Sequence, residues 1–342
     1  MATQSTSYIL MVRPARFGYN QQTAVNNAFQ EKPTEQNATD IAQRAIEEFD
    51  GLVALLRAAG VHVEVVEDTA EPAKPDAVFP NNWITTHTNN AIITYPMYAP
   101  SRQLERREAI IEQLEQGFNI EHRIRFEKYE AQNRYLEGTG SMILDRKNGI
   151  AYACVSDRTD EELFHEFCNY VNYEPVLFHS YDQDGTPVYH TNVMMAMGTD
   201  YVAICMDSIT DPAERATLEK KFRDTGKTII RLSHAQMNSF AGNMLEVENN
   251  NGDMMLVMSE QAYLSLEDSQ IAQISQFTDI LYAPIYTIEK YGGGSVRCMM
   301  AEIFLQEKEI IKTQQKNPSY QRAATKTVIE KYDPEEGWVR IQ

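Results

Sequence analysis

No run of the sequence approaches the roughly 20 apolar residues of a membrane-spanning helix. The N-terminus offers only the short apolar stretch YILMV before Arg13 and Arg16, too little for the apolar core of a signal peptide. Membrane insertion and secretion are not expected, and a cytoplasmic setting is. Cysteine is scarce: Cys154, Cys168, Cys205 and Cys298 lie far apart, with no C-x-x-C pair and no Cys/His cluster at metal-ligand spacing. That excludes a disulfide framework or zinc site as the first reading, and leaves each cysteine as a small buried hydrophobe or a reactive thiol. Basic residues are also short, 31 Lys and Arg against 49 Asp and Glu, for a net charge of −18. Such a surface repels phosphate backbones and anionic lipid, so neither nucleic acid nor membrane is the expected partner.

Linker-like and low-complexity blocks are absent as well. With 43% apolar and 23% charged residues the composition is that of an ordinary folded protein, and nothing divides residues 1–342, which read as a single domain.

What is present is a repeat. Five segments resemble one another: NNWITTH from Asn81, GTGSMIL from Gly138, HTNVMMA from His190, FAGNMLE from Phe240 and GGGSVRCM from Gly292. The small or amide residues at matching places, Asn82, Gly140, Asn192, Gly242 and Gly294, are spaced 58, 52, 50 and 52 residues apart. After the landmarks, stretches such as GSMILDRKNGIAYACV and NMLEVENNNGDMMLVM read as two strands joined by an Asn/Gly turn. Helix-period stretches lie between, at 40–59, 103–116, 160–171, 211–224 and 268–277, followed by strand-like runs at 61–66, 227–232 and 279–284. The proline-rich stretch 68–80 reads as a surface loop.

A unit of a few strands and one helix cannot bury its own sheet face, so several must pack around a shared axis. The expected fold is α/β: a five-bladed α/β propeller with pseudo-fivefold symmetry and the helices outside. The competing reading, two tandem α/β domains, leaves the regular spacing unexplained. In a propeller the five segments converge on one pocket. They bring Cys298, behind a glycine turn and beside Arg297, together with His190 and Glu137. Each alone is more often structural, but a thiol, an imidazole and a carboxylate in register form the set that covalent catalysis needs.

YLEGTGSMILDR, YHTNVMMAMG and GGGSVRCMMAEIF resemble signature segments of the guanidine-modifying pentein superfamily, which includes arginine deiminases, dimethylarginine dimethylaminohydrolases and amidinotransferases. The likeness spans nearly the whole sequence. MVRPARFGYN, AVFPNNW and FAGNMLE most resemble the citrulline-utilisation hydrolase branch. The resemblance implies the same five-bladed propeller, with Cys298 as nucleophile, His190 as acid/base, Glu137 as the acid that orients it and favours its protonated form, and no metal or organic cofactor.

Two departures bear on the substrate. Guanidine-acting members carry an aspartate two residues after the histidine and another in the segment matching FPNNW; this sequence has Asn192 and Asn82 there, with Asn81 the alternative to Asn82. A guanidinium is all donor, whereas a ureido group carries a carbonyl oxygen that an amide can donate to. The expected reaction is therefore hydrolysis of a ureido amino acid, citrulline to ornithine, ammonia and carbon dioxide, through a thioester on Cys298. The plainer reading of the asparagines is that they cap backbone groups. Arg297 and Arg13 are the candidates for the substrate carboxylate; Arg16, His87 and His234 are weaker. The partner is a small amino acid, with self-association left open. The alternatives are a guanidino-substrate hydrolase, an amidinotransferase and, last, a non-catalytic binding protein.

Overall fold

The protein ties its two ends together: strand β15 (Ala301–Glu302) lies antiparallel to β1 (Tyr8–Arg13), and β2 (His62–Glu67) runs parallel to β1 on its other side. The computed structural model describes residues 3–33, 38–308, 329–333 and 337–341. Residues 309–328 and 334–336, part of the span expected to form one domain, lie outside them. Four further sheets repeat the pattern, an antiparallel pair followed by a helical crossover to a parallel third strand: β3 (Ile84–His87), β4 (Ala91–Thr94), β5 (His122–Arg125); β6 (Met142–Asp145), β7 (Ile150–Cys154), β8 (Glu174–Phe178); β9 (Met195–Met197), β10 (Tyr201–Ile204), β11 (Thr228–Arg231); β12 (Leu245–Glu248), β13 (Met254–Ser259), β14 (Asp279–Ala283). This is the pentein fold, with one blade built from both ends of the sequence. A separate hairpin, Ile329–Asp333 with Gly337–Ile341, follows. No helix among the described residues is long and apolar enough to cross a membrane.

The crossover helices form as their periodicity directs. Ala38–Ala58 buries Ile41, Ala45, Phe49, Leu52 and Leu56, and Asp160 and Asp211 cap the helices Glu161–Val171 and Pro212–Asp224 through their side chains. The helix expected over 103–116 begins later, at Glu108–Gly117, and a separate turn, Pro100–Gln103, stands before it. The break turns Arg102 and Glu105 into the interior, where they pair at 2.9 Å.

Each landmark segment leads into the first strand of a blade, and the five turns touch in sequence around the axis. A Cβ on Gly140 would sit 2.3 Å from Asn82 Nδ2 and 2.8 Å from the His190 ring, and one on Gly242 would sit 2.2 Å from the Val193 carbonyl oxygen. Asn243 Nδ2 donates to the Asn192 carbonyl at 3.0 Å, and Gly292 and Gly294 abut the Phe79 ring. The glycines among the landmarks are therefore small because a neighbouring backbone at Gly242, and neighbouring side chains at Gly140 and Gly294, leave no room for more.

Two segments depart from expectation. The stretch 68–80 is a surface loop only over 69–73, which are exposed: Lys74 is buried against Asp68 and donates to the carbonyls of Thr69 and Pro72, and Asp76 to Phe79 are buried behind it. Residues 14–33 form an irregular strap across the end of the axis. It is fastened by Asn27 Nδ2 to the Gly293 carbonyl (3.2 Å), Gln30 Nε2 to the Gly292 carbonyl (2.9 Å) and Asn20 Nδ2 to Asp76 (2.8 Å).

Two glycines test this packing. Gly242→Ala drives a carbon into backbone and is expected to cost about 1–3 kcal/mol or more. Gly51→Ala, in mid-helix with nothing within 4 Å of the added carbon, is expected to stabilise by about 0.5–1 kcal/mol. Urea denaturation midpoints of the two variants should move in opposite directions.

Candidate active site

The strap, the axial turns and the stretch 76–82 enclose a narrow cavity lined by Cys298, His190, Asp76, Asn82, Arg102 and Arg158. Cys298 sits on the single helical turn Val296–Met299, its N–H donating to the Ser295 carbonyl at 2.9 Å. His190 ends the loop before β9 and meets Glu137 Oε2 through Nε2 at 2.8 Å. An ionised carboxylate only accepts, so the proton is on Nε2 and Nδ1 carries the free lone pair. Glu137 Oε1 accepts from the Tyr98 N–H at 2.8 Å, and Arg158 Nη1 lies 3.5 Å from Oε2.

Burial pulls the His190 imidazolium down, to a pKa of about 4, with the Glu137 hydrogen bond opposing. Burial would raise Glu137, but Arg158, His190 and Arg102 outweigh it and hold the carboxyl at about 2. Glu137 was expected to favour a protonated His190. In this water-excluded site desolvation wins, and the ring rests neutral, ready to take a proton.

Two amides face the nucleophile: Asn192 Nδ2 and Asn243 Nδ2 each lie 3.2 Å from Cys298 Sγ. Their Oδ1 atoms, buried, have no hydrogen-bond partner. Asn243 was missed in the sequence, although it stands next to the landmark Gly242 in FAGNMLE. Asn82 is oriented by Arg102, whose Nη1 donates to its Oδ1 at 2.7 Å. An arginine has nothing to accept with, so the Asn82 Nδ2 must point the other way, and it too lacks a partner. Asn81 is turned aside, donating to Thr139 Oγ1 at 3.4 Å, and does not line the cavity.

Neither arginine expected at the substrate carboxylate reaches the cavity. Arg297 is buried beneath the nucleophile turn, where it donates to the Met300 carbonyl and to Glu302. Arg13 is at the surface with Asp50 and Glu67, because β1 ends on the outer side of its blade; Arg16 pairs with Glu71 there. His87 is buried beside Thr85, and His234 opens a helix outside the cavity. The cavity's cations are Arg102 and Arg158. Opposite them is Asp76, whose Oδ2 accepts from Asn20 and Thr23 while Oδ1 stands unpartnered. Burial pushes the Asp76 carboxyl up, with Arg102 opposing. The cavity volume is only about 10 Å³, barely room for one water, so anything larger requires the strap to lift.

His190 sets an expected pH dependence. A histidine whose folded pKa lies below its unfolded value adds stability above about 6.5 that is lost as pH falls toward about 4. Ring neutrality persists over that same window, so the acid limb of kcat/KM for the free enzyme should fall well below pH 6.5; a limb centred at 6.5 would contradict a buried neutral base. Glu137→Gln replaces the anionic acceptor with an amide and should lower kcat by about 10²–10⁴-fold, with KM little changed, in steady-state turnover.

The family model for N,N dimethylarginine dimethylhydrolase, eukaryotic, matches residues 13–305. No curated protein matches the sequence. Among solved structures, the apo form of ArgZ, an arginine dihydrolase from the ornithine-ammonia cycle in cyanobacteria, superposes with a TM-score of 0.68 at 17% identity over 86% of this protein. The match spans 40% of that relative's length, and 97% of its N-terminal domain bound to product, where the TM-score is 0.67 at 17% identity. A dimethylarginine dimethylaminohydrolase carrying an adduct with S-methyl-L-thiocitrulline superposes at 0.60 with 15% identity, over 89% of this protein and all of that one. These likenesses carry the fold, and the match over 13–305 carries the kinship: the protein belongs to the family N,N dimethylarginine dimethylhydrolase, eukaryotic, within the pentein superfamily that also holds the arginine deiminases.

Proposed function

We propose that the protein is a cysteine-dependent hydrolase that cleaves a C–N bond at the planar ureido or guanidino carbon of a free amino acid, with citrulline as the preferred substrate. The polarity of the site supports an amino acid. Arg158 offers a cation to an α-carboxylate and the free oxygen of Asp76 an acceptor to the α-ammonium, both lining the same cavity as Cys298. The preference for a ureido end rests on Asn82. With its oxygen held by Arg102, it presents a donor, which a carbonyl oxygen can accept and a guanidinium cannot.

In this reading Nδ1 of His190 takes the proton of Cys298, and the sulfur forms a bond to the ureido carbon. The bond from that carbon to the δ-nitrogen breaks, and the imidazolium returns the proton to the departing amine, releasing ornithine. The carbamoyl thioester is then attacked by water, which gives its proton to His190. The C–S bond breaks, and the carbamate formed divides into ammonia and carbon dioxide. Glu137 keeps the ring in the tautomer these transfers need, and the amides of Asn192 and Asn243 lie where charge gathers on sulfur.

A second reading, a guanidino amino acid, is favoured by the family's own description and by the arginine dihydrolase among its structural relatives. The unpartnered oxygens of Asn192 and Asn243 suit the N–H groups of either substrate.

Ornithine, citrulline, ammonia and methylamines formed from citrulline, arginine and methylated arginines separate the two, since a guanidino hydrolase leaves citrulline and releases ammonia or a methylamine. The ureido reading expects the highest kcat/KM on citrulline, no turnover of any of them by Cys298→Ala, and a shift toward guanidino substrates of about tenfold or more per site in the double variant Asn82→Asp, Asn192→Asp. Faster turnover of arginine or dimethylarginine by the unaltered protein would establish the second reading instead.

A further inference from the structure

Outside the strap lies a second cavity, larger than the first at about 470 Å³. Phe29 and Glu31 of the strap form one wall, Asp182 and Asp184 of the loop after β8 a second, and Tyr286 and Glu289 of the helix Tyr286–Gly292 a third. Its charge is one-sided. The lining includes four carboxylates, Glu31, Asp182, Asp184 and Glu289, against the single cation Lys290, which is 3.4 Å from Glu31. Glu289 is 2% exposed; its Oε1 accepts from Ser295 Oγ at 2.6 Å, while its Oε2 makes no hydrogen bond. With the Ser259 hydroxyl near but outside hydrogen-bond geometry, this buried carboxylate oxygen is left short of a donor, which is costly to keep and in native proteins calls for an explanation.

The mechanism does not use Glu289, and its surroundings name what would. Phe29 packs on Phe240 with ring centroids 5.3 Å apart, and Tyr286 is 43% exposed at the rim. Aromatic faces with carboxylates recognise organic cations, whose charge meets the acid while their carbons cover the rings. A metal ion is a poorer fit, because among the described residues no three His, Cys, Asp or Glu side chains are grouped to hold one.

We propose that this outer cavity is a second ligand site, for a small organic cation of the alkylammonium or alkylguanidinium class, with the Glu289 carboxylate at its floor and Phe29, Phe240 and Tyr286 around the alkyl group. Burial, opposed by the hydroxyls of Ser259 and Ser295, pushes the Glu289 carboxyl up to about 7, so near neutrality a bound cation would restore a charge that the empty protein holds only in part. The site also touches the moving and the reacting parts of the enzyme. Glu31 N–H donates to the Lys290 carbonyl at 2.8 Å, and Ser295, held by Glu289, accepts from the Cys298 N–H at 2.9 Å. A cation seated between Phe29 and Glu289 therefore holds the strap down on the nucleophile turn, which opposes the opening that the inner cavity requires.

Calorimetric titration of the full-length protein with n-butylammonium and n-butylguanidinium at pH 8, with 1-butanol as the uncharged control, tests this. The expected result is saturable one-to-one binding of at least one cation and none of butanol, weakened at least tenfold by Glu289→Gln and several-fold by Asp184→Asn, and unchanged by Asp76→Asn. Asp184→Asn, on an exposed turn, should keep full catalytic activity, so weaker binding by it cannot be put down to misfolding. No saturable binding of either cation would overturn the proposal. So would binding that survives Glu289→Gln and Asp184→Asn but is lost in Asp76→Asn, which would place the cation in the inner cavity.

Discussion

The turn carrying Gly242 packs so closely on the Val193 backbone that not even a methyl group fits between them, and the turn of Gly140 meets Asn82 and the His190 ring in the same way. Five such turns share one axis, and their crowding is what makes a site from residues so distant in sequence. Glu137, His190, Asn243 and Cys298 each stand at or beside the start of the first strand of a different blade. Close-packed interiors do not deform continuously, so a turn that fits its neighbours at van der Waals distance also fixes the angle at which its polar residue enters the cavity. The glycine that permits the approach and the amide or acid beside it work as one device, repeated around the ring.

Within that ring, the balance of burial against cationic neighbours decides which carboxylates keep their charge, and Asp76 is raised despite Arg102 and Arg158. Glu137 and Glu105 are both fully enclosed, yet Glu137 is held at about 2 by Arg158, His190 and Arg102, whereas burial outweighs Arg102 at Glu105 and lifts it to about 7. Buried ion pairs seldom improve on apolar packing as a source of stability. Under the proposed reading, two guanidiniums gathered around a cavity, in a protein of net charge −18, serve an anion that enters.

The fold was legible because its information is periodic. Landmarks about 50 residues apart, Asn/Gly turns between strands and apolar faces on helices survive in one dimension, and they gave the blade count and the candidates Cys298 and His190, which line one cavity, with Glu137 bonded to His190. What could not be read were contacts set by three dimensions. Asp76 was hidden in a proline-rich stretch whose composition looks like a loop, and only the burial of Lys74 on Asp68 shows why that stretch folds inward. Arg102 lay just before the helical stretch expected from 103, and the short turn Pro100–Gln103 that carries it inward leaves no periodic mark. Arg297 was favoured for being next to Cys298 in sequence, but on a single helical turn adjacent residues point apart, and the structure aims it at Glu302. The strap had no periodicity at all to betray it.

That strap gives the site a means of choosing. With it down, Arg158 Nη2 donates to the Thr23 carbonyl at 2.9 Å and Nε to Asn26 Oδ1 at 3.0 Å, so the guanidinium has its acceptors before any substrate arrives. Lifting the strap to admit a molecule removes both and leaves a desolvated cation with Glu137 as its nearest anion. Under the proposed reading, an incoming α-carboxylate replaces what was lost, and a charge-assisted pair is worth more than the neutral acceptors it displaces. A molecule with the same ureido end but no carboxylate offers nothing in exchange and leaves a buried donor unpaired, the circumstance in which a polar site discriminates most strongly. On that reading, selection for a free amino acid precedes the chemistry proposed for Cys298, and it comes from the same arginine that helps to hold Glu137 ionised.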